Sequence, residues 1–299
     1  MASRFQLKWV IEHPHGGCLL KEFLKEQEIS RTALTDIKFK GGQILVNKQE
    51  VNVRFKLTAG DEVTLIFPQE QPSSGVMGED IPLEILFEDE YLLVVNKPSG
   101  MSTIPSREHP SRSLANALVG YYEKIDLNAT SHVVTRLDRD TSGIVLIAKH
   151  RHVHHLFSME QQRGNVKRIY EALAGGALVL QSGTINEPIG RKIDSIIERE
   201  VRSDGQYACT HFKVLKRYKT FTHIELRLET GRTHQIRVHM SYLGHPLLGD
   251  DLYGGETALI SRQALHCRQI TFVHPFLGEE MTFRAPLPAD MREILEADQ

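Results

Sequence analysis

Residues 131–143 read Ser-His-Val-Val-Thr-Arg-Leu-Asp-Arg-Asp-Thr-Ser-Gly, and the apolar run 144–148 follows directly. A short apolar run bounded by turn formers reads as a buried strand. The string before it places one carboxylate, Asp138, between Arg136 and Arg139, with Thr141, Ser142 and Gly143 behind it. Asp138 is therefore expected in a loop entering a rigid element, where chemistry-bearing side chains are commonly presented. A neighbouring cation favours an ionised carboxylate, and an ionised carboxylate can act as a nucleophile. In isolation, Asp-x-x-Thr-Ser-Gly is a turn entering a strand with its arginines in water.

Working outward, residues 83–87, 91–95, 168–174, 221–228 and 270–273 also read as strands. Ser113 is placed to cap a helix carrying Leu114, Ala117, Leu118 and Tyr121, and Val153, Leu156 and Phe157 mark another. This mixture predicts an α+β domain over 83–299, with helices flanking a large mixed, mainly antiparallel sheet. Residues 69–82 are rich in Pro, Ser, Gly and acids and read as a linker. No Lys or Arg occurs between Lys56 and Lys97, so this stretch is not expected to touch phosphate.

Residues 1–68 form a smaller unit. Leu19, Leu20, Phe23 and Leu24 have helical spacing. Ser30 caps a second helix carrying Ala33, Leu34, Ile37 and Phe39, which Gly41-Gly42 stops. Short strands are expected around Asn47-Lys48 and over 63–67.

The chain has 299 residues, of which 40% are hydrophobic and 25% charged, as in ordinary globular proteins. The formal net charge of -2 means that any affinity for a polyanion must come from a local patch. Cys18, Cys209 and Cys267 are too few and too scattered for a disulfide framework or a structural zinc site. His152, His154 and His155 read as a solvated helix with one buried ring. No signal peptide or apolar run of membrane-spanning length is read, so a cytoplasmic location without membrane contact is expected; a monomer is expected separately.

Three more segments bear on chemistry. Asn96-Lys97-Pro98-Ser99-Gly100 ends a strand in a rigid loop. Lys167-Arg168-Ile169-Tyr170 sets an aromatic among cations, an arrangement able to stack a base. Thr230-Gly231-Arg232-Thr233-His234-Gln235-Ile236-Arg237-Val238-His239 follows a strand and opens a helix, with Thr233 as the expected cap. On their own these are a turn, a core tyrosine and a capped helix. Together with residues 136–143 they closely resemble the ordered motifs of the RluA-type pseudouridine synthases, which isomerise uridine in RNA. Gly244 to Gly254 resembles a further family loop, to which only a structural part is assigned. The unit 1–68, with Ser30-Arg31, Gly42-x-Ile44-x-Val46-Asn47 and Gly60-Asp61, looks like the small α/β RNA-binding domain of a small-subunit ribosomal protein, a pairing that is RluD-like.

The resemblance implies the pseudouridine synthase fold and an isomerase that flips its target base. It implies Asp138, Tyr170 and Arg237 as catalytic residues: the carboxylate, the aromatic under the uracil and the partner of the carboxylate. It implies Arg136 filling the space the base vacates. Asn96, Lys97, Arg232 and His234 are expected around the substrate. Lys25, Arg31, Lys38 and Lys40 are expected to contact RNA phosphates, which give affinity without sequence reading. No cofactor and no metal are expected. Many family members carry His where this chain has Thr135, a departure that touches neither Asp138 nor Arg237. Large-subunit ribosomal RNA is the expected substrate, with transfer RNA as the alternative. Two rivals are a magnesium-dependent phosphatase built on Asp138-x-Asp140 with Asp250 and Asp251, and an RNA-binding assembly factor with an idle catalytic domain.

Overall fold

The computed structural model describes residues 4–70 and 75–297. The expected linker lies partly outside the described residues, at 71–74. The small unit comprises β1 (Gln6–Val10), α1 (Leu20–Glu26), α2 (Arg31–Phe39), β2 (Gln43–Val46), β3 (Gln49–Glu50) and β4 (Glu62–Ile66). Its four-stranded sheet has the order β1-β4-β2-β3. Leu20, Phe23 and Leu24 from α1 and Ile37 from α2 meet Ile44, Val63 and Leu65 of the sheet in a core of their own. Ser30 caps α2, its Oγ accepting the Ala33 backbone N–H at 3.1 Å. Asn47 and Lys48 adopt left-handed backbone, with φ of 51° and 67°, and close the β2–β3 hairpin. Phe39, placed by sequence on the apolar side of α2, is 80% exposed. It ends the helix one residue before the turn and misses the core.

The larger unit runs β5 (Ile85–Glu88), β6 (Leu92–Lys97), α3 (Leu114–Lys124), β7 (His132–Val133), β8 (Ser142–Ala148), α4 (Arg151–Gln162), β9 (Lys167–Gly175), β10 (Ser182–Asn186), β11 (Ile189–Arg191), β12 (Arg199–Val201), β13 (Cys209–Arg217), β14 (Phe221–Leu228), α5 (Gln235–Tyr242), β15 (Leu265–Val273), β16 (Glu280–Arg284) and α6 (Ala289–Ala297). The main sheet has the order β10-β13-β14-β9-β15-β8-β6-β5, with β16 beside β15 and β7 beside β8. Among the described residues, the β15–β8 contact is the one parallel pairing. The expected mixed, mainly antiparallel sheet with flanking helices is what forms.

β8 is buried along its whole length, with α3 and α4 contributing to the same core. Its edge facing β15 is divided. Ser142 and Gly143 pair with β15, whereas Ile147 and Ala148 pair with β7. Between them, Thr135 Oγ1 accepts the Leu146 N–H at 2.9 Å. A threonine at this position thus serves the sheet. Gly143 is required by geometry: φ is +115°, and a β-carbon would lie 2.3 Å from the Cys267 carbonyl oxygen.

The two units meet through an aromatic cluster and ion pairs. Phe5 stacks on His150 with centroids 4.1 Å apart. Arg151 pairs with Asp36 at 3.2 Å, and Arg163 with Glu28 at 3.1 Å. His152 is the buried ring of its helix and stacks on Phe67. Among the described residues, no helix is long and apolar enough to cross a membrane.

Candidate active site

One register row crosses the middle of the sheet: Gly143 on β8 faces Cys267 on β15, which faces Tyr170 on β9, which faces Leu226 on β14. β8 and β14 run in the same direction through this row, so the loop before β8 and the loop after β14 leave the sheet at opposite ends of it. Their residues line a cleft of about 1990 Å³. A smaller pocket of about 70 Å³ shares Asp138, Arg168, His234 and Arg237 with it and has Tyr170 and Leu265 in its wall. Nine Lys or Arg against five Asp or Glu line the cleft, so a chain of net charge -2 concentrates positive charge there. None of the described residues between 57 and 96 lines it, in keeping with the acidic character of that stretch.

The loop carrying Asp138 is fixed almost residue by residue. Thr103 Oγ1 donates to the Leu137 carbonyl at 2.6 Å and accepts the Leu137 N–H at 3.1 Å. Lys97 donates to the Arg139 carbonyl at 3.1 Å, and Arg262 to that of Asp140 at 3.1 Å. Gln263 bonds Thr141 at 3.1 Å, and His266 bonds Ser142 at 2.9 Å. What remains directed into the cleft is the side chains of Arg136 and Arg139, both exposed, and the half-buried Asp138 carboxylate.

Arg237 stands opposite Asp138, with Nη1 3.4 Å from Oδ2. Its stronger partner is Asp250, which is fully buried and accepts from Nε and Nη2 at 2.7 Å each. This fork-to-fork pair fixes the plane of the guanidinium and leaves one N–H edge for Asp138. Burial works against the Arg237 charge, but the Asp250 carboxylate overrides it and raises the guanidinium further above its ordinary value. The loop assigned only a structural part thus supplies the group that aims Arg237. With both oxygens committed, Asp250 is not placed as a magnesium ligand.

His234 precedes α5 in a left-handed conformation, with φ of 56°. The expected cap, Thr233, is displaced because the Gln235 side chain accepts from Thr230 Oγ1 at 2.7 Å and from the Arg232 N–H at 2.9 Å. This folds the loop back and makes His234 the last residue before the helix. Tyr253 Oη accepts the Arg199 N–H at 2.9 Å and lies 2.8 Å from His234 Nδ1. With the hydroxyl proton directed at Nδ1, a neutral ring carries its own proton on Nε2, the nitrogen 4.0 Å from Asp138 Oδ1. Burial pushes His234 below the ordinary histidine value; Asp138 opposes this and Arg237 reinforces it.

Tyr170 is 4% exposed. Burial holds its hydroxyl well above the usual phenol range, with the Arg168 guanidinium opposing. Arg232 lines the cleft and is anchored by Nε to the Tyr207 carbonyl at 2.9 Å.

Two expected substrate contacts lie elsewhere. Lys97 is 1% exposed and donates to the carbonyls of Pro98 at 2.9 Å, Met101 at 2.7 Å and Arg139. Burial lowers its amine to about 7, while three carbonyl acceptors match the three protons of an ammonium. Asn96 bonds Glu84 at 3.0 Å. Both shape the loop and touch no part of the cleft. Lys25, Arg31, Lys38 and Lys40 are exposed on the small unit, outside the cleft lining. Among the described residues, Cys209, His211 and Glu229 bring three donor atoms within 4.8 Å on the cleft wall. Thr184 and Glu229 satisfy both ring nitrogens of His211, which accounts for the grouping.

The RNA pseudouridylate synthase family profile matches residues 91–242. The uncharacterized RNA pseudouridine synthase YjbO of Bacillus subtilis is 52% identical over 279 residues, covering 93% of this chain and 99% of that protein. The ribosomal large subunit pseudouridine synthase D of Vibrio parahaemolyticus is 39% identical over 314 residues, covering 99% and 96%. The solved structure of human RNA pseudouridylate synthase domain containing 1 superposes with a TM-score of 0.59 at 24% identity, over 74% of this chain and 96% of that one, and so shares the fold. The chain belongs to the RNA pseudouridylate synthase family, in its RluA-type, RluD-like branch, and is an isomerase acting on RNA.

Proposed function

We propose that this isomerase converts uridine to pseudouridine in large-subunit ribosomal RNA, with Asp138 as the catalytic carboxylate. The observation that carries the proposal is the position of Asp138: in the mouth of the Tyr170 pocket, beside an arginine whose own aim is fixed by buried Asp250. The printed name of the Vibrio relative supports ribosomal RNA as the substrate class.

The glycosidic bond of a stacked uridine is out of reach, so the base is flipped into the pocket at a cost of a few kcal/mol. The excess of cations along the cleft holds phosphates and offsets part of this cost. Exposed Arg136, beside Asp138, occupies the space the base leaves. Tyr170 stacks under the uracil, and its hydroxyl stays protonated. Asp138 acts on the sugar, either at the anomeric carbon or by taking a proton from the neighbouring carbon. The C–N bond breaks, the uracil turns while held, and its ring carbon bonds the ribose. Bonding the ring carbon to the ribose releases the Asp138 carboxylate from the sugar, or the proton it took returns there; the ring carbon then loses its proton while the freed ring nitrogen gains one, so atoms and charge balance without an oxidant or an energy source. The small unit adds phosphate contacts through Lys25, Arg31, Lys38 and Lys40, and residues 1–68 and 83–299 act as separate domains.

The test is tritium release from RNA labelled at the uracil carbon that forms the new bond, in excess EDTA. Release from ribosomal RNA by the wild type, lost in Asp138→Asn with RNA binding retained, is expected. Near-normal release by Asp138→Asn overturns the assignment of Asp138. Release only from transfer RNA moves the substrate. RNA binding without release on any RNA favours the assembly-factor reading.

A further inference from the structure

Arg168 is a cation of the small pocket with a buried donor left unpartnered. It shares the face of β9 with Tyr170, two residues on, and lines both the pocket and the cleft. Its Nη1 lies 3.4 Å from Tyr170 Oη, a long contact. Among the described residues, its buried Nε has no hydrogen-bond partner. Arg237, in the wall of the same pocket, is instead spent on Asp250. The loop after β14 is shaped around the Arg168 guanidinium: a β-carbon at Gly231 would come within 3.0 Å of Nη2. Part-buried cationic donors without acceptors destabilise a fold. A site that keeps them is built for an acceptor that arrives from outside.

We propose that Arg168 is the acceptor-reading residue of the base pocket, donating to an oxygen of the bound nucleotide. This deepens the reading of the pocket as a uridine site and rests on it. The oxygen is a uracil carbonyl or a phosphate oxygen. The carbonyl fits the placement better: a uracil lying on Tyr170 projects its ring oxygens in the plane beyond the hydroxyl edge, where the guanidinium sits. Cytosine keeps the carbonyl at C2 but presents an amino group at C4, so a contact made to the C4 oxygen favours uracil over cytosine.

The test is Arg168→Met, which keeps the length and removes the donors, with Arg168→Lys as the conservative variant. Thermal melting, RNA affinity across a salt series and single-turnover tritium release are measured on the full chain. A purely structural arginine would lower the melting temperature on removal. The expected result for Arg168→Met is a melting temperature equal to or above the wild type together with a single-turnover rate lowered by about tenfold to a hundredfold, the loss of one charge-assisted hydrogen bond. Arg168→Lys recovers part of it. A carbonyl contact leaves the slope of log affinity against log salt unchanged, whereas a phosphate contact reduces it by about one. A fall in melting temperature with an unchanged rate overturns the proposal. If the wild type itself releases no tritium, the uridine reading fails first. A melting temperature that does not fall, with reduced RNA affinity, would then still mark Arg168 as a ligand-directed donor.

Discussion

Asp250→Asn isolates what Asp250 does for the site. Asp250 is fully buried, and each of its oxygens accepts a guanidinium N–H of Arg237 at 2.7 Å. Breaking a buried pair by removing one partner costs about 3–5 kcal/mol. Asparagine preserves the shape and one acceptor but turns an amide N–H toward a guanidinium N–H. About half the penalty, roughly 2 kcal/mol, is therefore expected. At about 2 °C per kcal/mol for a chain of this size, the melting temperature falls by about 4 °C. Freed on one side, Arg237 closes on the remaining carboxylate, Asp138, now 3.4 Å away. A shift of about 1 Å in a reacting group costs on the order of a hundredfold in rate. Single-turnover tritium release should fall by that order, while RNA affinity, which Asp250 cannot touch, stays the same. A melting temperature that drops as expected with a wild-type rate would refute the argument that Asp250 aims Arg237 at the chemistry.

Three further outcomes are expected. Gly143→Ala forces a β-carbon 2.3 Å from the Cys267 carbonyl at a φ of +115°, so the β8–β15 contact opens and soluble yield collapses; a soluble variant melting like the wild type would contradict this. Lys97→Met removes three carbonyl contacts and loosens the loop at Arg139, so the melting temperature and the rate both fall while the salt slope of RNA binding is unchanged; a reduced slope would return Lys97 to the phosphate contacts. Burial pushes His150, His152 and His266 from 6.5 down to about 4, so the fold favours the neutral rings. Their contribution is complete above 6.5 and is lost as pH falls toward 4. His152→Phe, which keeps a ring beside Phe67 and removes a charge that would crowd His150 and His155, should flatten the melting curve in that window. An unchanged slope would count against His152 as a source of acid sensitivity.

What the sequence revealed was what local pattern encodes. The buried strand behind Gly143 and the capping serines Ser30 and Ser113 follow from short-range spacing, and the pairing of Asp138 with Arg237 from the family resemblance alone. β1 was missed because only Leu7 of its five residues is buried. β13 was missed because Lys213, Leu215, Lys216 and Arg217 face water and blur its alternation. Lys97 read as a ligand-facing cation because nothing in its neighbourhood announces three carbonyls, one of them 42 residues away. Asp250 hid for a related reason: a Gly-Asp-Asp turn reads as surface, and only the fold buries its first carboxylate against Arg237. Arg168 lay within a quoted motif, but its unfinished bonding exists only in three dimensions.

The register row through the centre of the sheet has a consequence for synthesis of the chain. β15 is the late strand that fills the slot between β8 and β9, and it carries His266, which holds the loop at Ser142. At about 5–20 residues per second, the ribosome needs roughly 6 to 26 s to add the 128 residues from Asp138 to His266 (266 − 138). Until β15 arrives, the edges of β8 and β9 that face it lack their partner and the Asp138 loop lacks the His266 contact at Ser142. The catalytic site of the nascent enzyme is therefore incomplete until its sheet is closed. Fragments that stop short of β15 expose two apolar edges, which marks them for chaperones and proteases before they can meet a substrate.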